Sequence, residues 1–436
     1  MKCMAMKRRF DRKLGHAVLM LLLLAAPSAG VHAAPVGAHD SQLQELLAEA
    51  ASNNPEIRAA KSEHEAAQHR VAPAGALEDP MLEAGVVNAP LASQTFRRED
   101  MTMKMLGLSQ RFPFPGKRGL RQDVAAKEAE SDLHAYQETV NRVARDVKAA
   151  YFELAFVVQS ARLVEENRRV LEQFLKISES RYANGQGTQA DVLKAQTQLT
   201  GMADELIGLA SERRAIESEL ALALGRESDT GLPAPAALEL PATALPFESL
   251  RETALTERPQ LLGLKSLIDR SEKALDLARR DYYPDFDVRL SYGQRENMLD
   301  GTRRDDMLSL TVAVNLPIWR ESKRNPGVAE AIAMRNQAKE MYQAQMNEVS
   351  SRLRQQVASA EQSLKSARLY ESGILPPARL AVESSLAAYR VNRVDFLTLL
   401  DSQMTLLNYE VGYASALSNY NKALAEIELL TGATLP

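Results

Sequence analysis

Phe286-Asp287-Val288-Arg289-Leu290-Ser291-Tyr292-Gly293 and Met307-Leu308-Ser309-Leu310-Thr311-Val312-Ala313-Val314-Asn315-Leu316 decide the fold. A β-strand turns successive side chains to opposite faces. In the first stretch Phe286, Val288, Leu290 and Tyr292 therefore share one face, and Asp287, Arg289, Ser291 and Gly293 share the other. The second stretch repeats the pattern with Leu308, Leu310, Val312, Val314 and Leu316. Leu82, Ala84 and Val86 alternate more weakly, and Met101 to Gln110 is a fourth, less regular segment. Segments of about ten residues with one apolar and one polar face match a membrane β-barrel. A half-buried sheet in a soluble domain produces the same alternation.

Placement favours the barrel. Each segment has a proline at one end (Pro80, Pro113, Pro284, Pro317), and an up-and-down order brings those ends to one side. Only 5% of the chain is aromatic, yet Phe112, Phe114, Tyr282, Tyr283, Phe286 and Trp319 gather at those ends. That clustering suits an interfacial aromatic belt, where amphipathic rings sit at headgroup level. The opposite ends join through polar loops, residues 88–100 and 294–306. Four strands cannot close a barrel, since the smallest membrane barrels have about eight. An open edge in lipid leaves backbone groups unpaired at a cost of several kcal/mol each. The sequence thus requires a barrel shared between copies.

The rest of the chain is two copies of one unit. Pro55 and Pro259, in Asn54-Pro55-Glu56-Ile57 and Arg258-Pro259-Gln260-Leu261, stand 204 residues apart, as do Pro113 and Pro317. Further on, Tyr182 and Tyr389, Gln196 and Gln403, and Gly225 and Gly432 all stand 207 apart. The expected organisation is a first repeat over 34–230, a Pro/Ala-rich linker over 231–247 and a second repeat over 248–436. Each repeat reads as a helix (about Pro55–Ala72; about Pro259–Arg280), two strands, then a long helical hairpin. Leu133, Tyr136, Val140, Val143, Val147, Tyr151 and Leu154 recur mostly at three- and four-residue spacing. Leu199, Met202, Leu206, Leu209, Ile216 and Leu220 keep that spacing on the return, and Met346, Val349, Leu353, Ala360, Leu364 and Ala367 repeat it in copy two. This is coiled-coil-like packing. The helix from about Arg118 to Ala183 would be on the order of 100 Å long, and its charges exclude burial in lipid. Pro376-Pro377 predicts a kink or short break in the matching helix of copy two.

The chain has 436 residues, and its net charge of −4 gives no polybasic footprint for nucleic acid. Lys7, Arg8, Arg9, Arg12 and Lys13, the apolar run His16–Ala26 and Val31-His32-Ala33 read as a secretory signal over 1–33. The single cysteine, Cys3, falls inside it, so the exported chain has no disulfide and no cysteine-linked lipid. No nucleophile–base pair, phosphate loop or paired catalytic carboxylate stands out, and neither an enzyme activity nor a cofactor is expected. Met101, Met103 and Met105 offer soft thioethers, but three alternate residues on one strand face read as packing. His64 and His69 do not share a helix face well enough for a metal site.

In their order, these features resemble the outer-membrane efflux protein family, the TolC-like exit ducts. The resemblance rests on the duplication, Asn54-Pro55-Glu56-Ile57, Ser109-Gln110-Arg111-Phe112-Pro113-Phe114-Pro115-Gly116-Lys117-Arg118 and Tyr283-Pro284-Asp285-Phe286. It also rests on Arg181-Tyr182-Ala183-Asn184-Gly185-Gln186-Gly187-Thr188 and Tyr389-Arg390-Val391-Asn392-Arg393-Val394-Asp395-Phe396-Leu397. It implies a mainly α fold with a small membrane β-barrel: a homotrimer sharing a twelve-stranded barrel above a tunnel of helical hairpins. It also implies an outer-membrane location with a long periplasmic portion, contact with outer-membrane lipid, a periplasmic membrane-fusion adaptor and an inner-membrane pump of the resistance–nodulation–division type. The Phe-Pro-Gly-Lys-Arg run is similar to the heavy-metal branch; a drug or solvent duct, a type I protein-secretion duct and a soluble periplasmic coiled-coil scaffold are the alternatives.

The resemblance also assigns roles. Asn184, Gly185, Gly187, Asn392 and Arg393 fall at the periplasmic tips that meet the adaptor. Asp401 matches an acidic residue of the inner constriction, and Thr398 stands where the family has a second acid. Asp395 is near enough to compensate or simply caps a helix. Tyr389 and Arg390 are expected to hydrogen-bond the closed tip.

Overall fold

A computed structural model describes residues 38–91, 95–226, 232, 235, 238–240 and 245–435. The expected signal segment over 1–33, and most of the expected linker over 231–247, lie outside the described residues.

The elements run α1 (Ala38–Asn53), α2 (Pro55–Gly75), β1 (Met81–Val87), β2 (Met103–Phe112), α3 (Lys117–Ala183) and α4 (Gln189–Leu224). They continue with α5 (Phe247–Glu257), α6 (Pro259–Arg280), β3 (Phe286–Gln294), β4 (Met307–Val314), α7 (Asn325–Leu369), α8 (Leu375–Arg390) and α9 (Phe396–Thr431). Two five-residue π-turns, Arg320–Arg324 and Tyr370–Ile374, lead into α7 and α8. At Pro376-Pro377, where a kink or short break is expected, the helical backbone runs on without a break through the π-turn Tyr370–Ile374. The prolines occupy the first turn of α8, where a missing N–H costs little, and the π-turn before them absorbs the misfit.

α1 and α5 are additions to the sequence reading. The Asn54 side chain accepts from the N–H groups of Glu56 (2.8 Å) and Ile57 (3.2 Å), so Asn54 caps α2, which begins at Pro55 as expected, and separates it from α1. α2 also runs on past Ala72, through Pro73 to Gly75.

Each repeat packs its own core. Val143, Val147, Tyr151, Leu154 and Val157 of α3 meet Leu46 of α1, Ile57 of α2 and Ile216 and Leu220 of α4. Val349, Leu353 and Val357 of α7 meet Leu250 of α5, Leu261 of α6 and Tyr420, Ile427 and Leu430 of α9. Toward the tips the copies merge: Val164, Leu171 and Phe174 of α3 pack with Met202 of α4, Tyr389 of α8 and Phe396, Leu399 and Leu407 of α9. α3, with 67 residues, extends about 100 Å at 1.5 Å per residue.

The strands form one antiparallel sheet in the order β1-β2-β3-β4, leaving β1 and β4 as open edges. Register places Leu82, Leu108, Leu290 and Leu310 in one row, and Ala84, Leu106, Tyr292 and Leu308 in the next. The other face carries Glu83, Gly107, Ser291 and Ser309 in one row and Ser109, Arg289 and Thr311 in the next. One element departs from expectation. Met101 precedes β2 in a turn, so only Met103 and Met105 share a strand face, and Met103 lies over Gly293.

Candidate functional site

The sheet presents its apolar face to the surroundings rather than to a core. Leu82 is 71% exposed, Leu308 73% and Leu310 70%, and Leu106, Leu108, Leu290, Val312 and Val314 are also exposed. A soluble chain rarely leaves so large an apolar surface uncovered. On the polar face Arg289 donates to Glu83 Oε1 at 2.8 Å, reaching across β2 past Gly107.

Where sheet meets helix, a buried ion cluster fixes the junction. Gly116 takes φ 92°, which only glycine adopts readily, and turns the chain from β2 into α3. Lys117 follows at 2% exposure, its Nζ donating to Asp285 Oδ1 (2.9 Å) and the Tyr283 carbonyl (3.0 Å), with Asp281 at 3.3 Å. Asp285 also accepts from Phe114 N at 2.9 Å. Burial pushes the Asp285 carboxyl up, but the hydrogen bonds from Lys117 and Phe114 and the charges of Lys117 and Arg111 outweigh it and hold the group below the usual range. Lys117 and Asp285 belong to motifs quoted for the resemblance, yet nothing in their local sequence marks their pairing across the repeats.

The aromatic residues at this end divide. Phe112 and Phe286 are cross-strand partners on the apolar face. Phe114 and Tyr283 stack on each other at 4.6 Å, Tyr282 Oη donates to Asn325 Oδ1 at 2.5 Å, and Trp319 is 69% exposed.

At the far end of the helices both hairpins turn by one mechanism. Gly185 (φ 70°) and Asn392 (φ 66°) fill the same left-handed position, 207 residues apart. Gln186 N donates to Arg181 O at 2.8 Å, and Arg393 N to Ala388 O at 2.9 Å. Asn184 Nδ2 donates to Ser180 O at 2.9 Å. Gly187 is packed against Arg181, where a Cβ would sit 3.2 Å from the arginine's own. Thr188 caps α4 in a reciprocal pair with Asp191, and Asp395 caps α9 by accepting from Thr398 N (2.8 Å) and Oγ1 (2.5 Å). The Thr398 bonds hold the Asp395 carboxyl below its usual range.

The tips are joined by a residue the sequence reading left without a role. The Arg181 guanidinium lies 4.4 Å from the centre of the Tyr389 ring, donates to the Tyr389 carbonyl at 2.6 Å and reaches Asn392 Oδ1. Tyr389 is buried and its hydroxyl meets Ser178 Oγ at 3.2 Å. Arg390 is exposed, with no side-chain bond among the described residues. Asp401 is exposed on α9 and, among the described residues, forms no ion pair and no side-chain hydrogen bond to Asp395 or Tyr389.

The chain is 23% identical to the cobalt-zinc-cadmium resistance protein CzcC of Cupriavidus metallidurans, over 98% of this chain and 100% of that protein. It is 21% identical to the outer membrane protein TolC of Vibrio cholerae, over 95% of each. Its backbone is similar to the crystal structure of the outer membrane protein VceC from Vibrio cholerae, with a TM-score of 0.76 at 18% identity, over 91% of this chain and 97% of that one. The model of the family described as outer membrane efflux protein matches residues 46–226 and 250–433, and the chain belongs to that family.

Proposed function

We propose that three copies of this chain close a twelve-stranded barrel in the outer membrane, and that their helical hairpins continue it as a periplasmic tunnel through which heavy-metal cations leave the cell. The observation that carries this reading is the sheet: one apolar face, one polar face and two open edges. Lipid accepts the apolar face, copies satisfy the edges, and the polar face lines the lumen. Three copies suit a conduit, because eight strands enclose a space that side chains fill. Conduction is passive. The chain supplies a path and a gate, and an adaptor meeting the tips at Asn184, Gly185, Gly187, Asn392 and Arg393 couples it to an inner-membrane pump of the resistance–nodulation–division type.

Arg181, Tyr389 and Asn392 hold the two hairpins of each subunit together and so keep the tunnel mouth narrow. Asp401, which forms no ion pair among the described residues, contributes one carboxylate per subunit to a ring that favours cations. The metal cargo draws its support from the likeness to a cobalt-zinc-cadmium resistance protein along its whole length. Deleting the gene and comparing susceptibility tests the cargo. Greater sensitivity to cobalt, zinc or cadmium supports it, whereas sensitivity to drugs alone favours a drug duct.

A further inference from the structure

The duplication supplies an internal comparison at the base of the sheet. Phe112-Pro113-Phe114-Pro115-Gly116-Lys117 leads from β2 into α3, and Leu316-Pro317-Ile318-Trp319-Arg320-Glu321-Ser322-Lys323-Arg324 leads from β4 toward α7. In the first junction the cation turns inward and is neutralised by Asp281 and Asp285. In the second, Arg320 and Lys323 are exposed and Arg324 is half-buried, and none of the three makes an ion pair or side-chain hydrogen bond among the described residues.

These cations do not stand alone. Immediately ahead of them Leu316 and Ile318 are as exposed as Trp319. The π-turn Arg320–Arg324 gathers three bases in five residues against one acid, Glu321. Bases in the first turn of a helix oppose its dipole, so this arrangement is unfavourable until an outside anion meets it. In a closed barrel the β1 edge of a neighbouring copy would bring Glu78 and Asp79 toward this junction. Glu78 is engaged by Arg111 of its own chain at 3.8 Å, and a single remaining carboxylate does not balance the excess.

We propose that the β4–α7 junction binds the headgroup of an anionic glycerophospholipid. Arg320, Lys323 and Arg324 take the phosphate, Trp319 sits at headgroup level, and Leu316 and Ile318 lie along the acyl chains. The site rests on the membrane placement proposed above. Anionic lipid would then be part of the seal between barrel and tunnel.

The test is native mass spectrometry of the detergent-purified full chain, with phosphatidylglycerol or phosphatidylethanolamine added. The wild type is expected to retain phosphatidylglycerol preferentially. The triple variant Arg320→Gln, Lys323→Gln, Arg324→Gln is expected to lose about a hundredfold in apparent affinity, from about fivefold per cation near an anionic surface. The distant pair Arg335→Gln, Lys339→Gln is expected to change nothing. Equal retention by wild type and triple variant would overturn the site. So would a triple variant that falls to single chains while still holding the lipid, since the cations would then serve the neighbouring copy. A wild-type chain that stays in solution without detergent would instead overturn the membrane placement itself.

Discussion

Arg181 and Tyr389 belong to different copies of the repeated unit, yet the guanidinium of one lies 4.4 Å from the ring centre of the other and donates to its carbonyl at 2.6 Å. A cation–π contact contributes about 0.5–1 kcal/mol and a charged hydrogen bond about 1.5–3 kcal/mol. Arg181→Ala is therefore expected to destabilise the tip by about 2 kcal/mol and to raise single-channel conductance in planar bilayers. Tyr389→Phe keeps the ring and loses only the Ser178 bond, so its effect is expected to be smaller. Equal conductance in wild type and Arg181→Ala would remove this contact from the gate.

Lys117 is expected to be the most costly single side chain to replace at the junction. Lys117→Met removes the buried partner of Asp285, and breaking such a pair costs about 3 kcal/mol. Thermal unfolding in detergent measures it. The pH dependence follows from the same pair. The Asp285 carboxyl titrates below its usual range in the folded state, so its contribution is complete above the ordinary carboxylate pKa and is lost as pH falls through the folded value. Lys117→Met removes much of that depression, so its stability is expected to fall less steeply on acidification than that of the wild type.

The hairpin turns give a paired prediction. Asn392→Gly is expected to be neutral, because glycine takes the left-handed position freely, whereas Gly185→Val is expected to cost about 1–2 kcal/mol. At the next step of the chain, Asp395→Ala is expected to cost about 1 kcal/mol of cap stability while Asp395→Asn keeps the acceptor and costs little. A change in ion selectivity with Asp395→Asn would show that its charge acts in the lumen beyond the cap.

Asp401→Ala is expected to lower cation selectivity, read as a shift of reversal potential toward zero in a salt gradient. An unchanged reversal potential would place Asp401 outside the constriction.

Periodicity made the architecture legible. The twofold period separates Leu82, Leu290 and Leu310 from Arg289 before any contact is known, and the register adds Leu108 to their row. The three-and-four spacing locates the long helices for the same reason: a buried stripe must repeat with its element. α1 and α5 are less legible because Pro55 and Pro259 mark helix starts, whereas the shorter helices ahead of them carry no such punctuation. Met101 lies two residues ahead of β2, since alternation does not reveal where a strand begins. The tip and junction were the least legible. Arg181 meets Tyr389, and Lys117 meets Asp285, across more than 160 residues of chain, and pairing at that distance leaves no local pattern.

With four strands and two open edges, one chain holds only part of a barrel. Native mass spectrometry of the full chain extracted from outer membranes in detergent counts the copies directly. Three chains per particle are expected, held together until the detergent is stripped or the protein unfolds. A single folded chain recovered in detergent, or a monomer that stays in solution without it, would contradict the shared barrel and the duct with it.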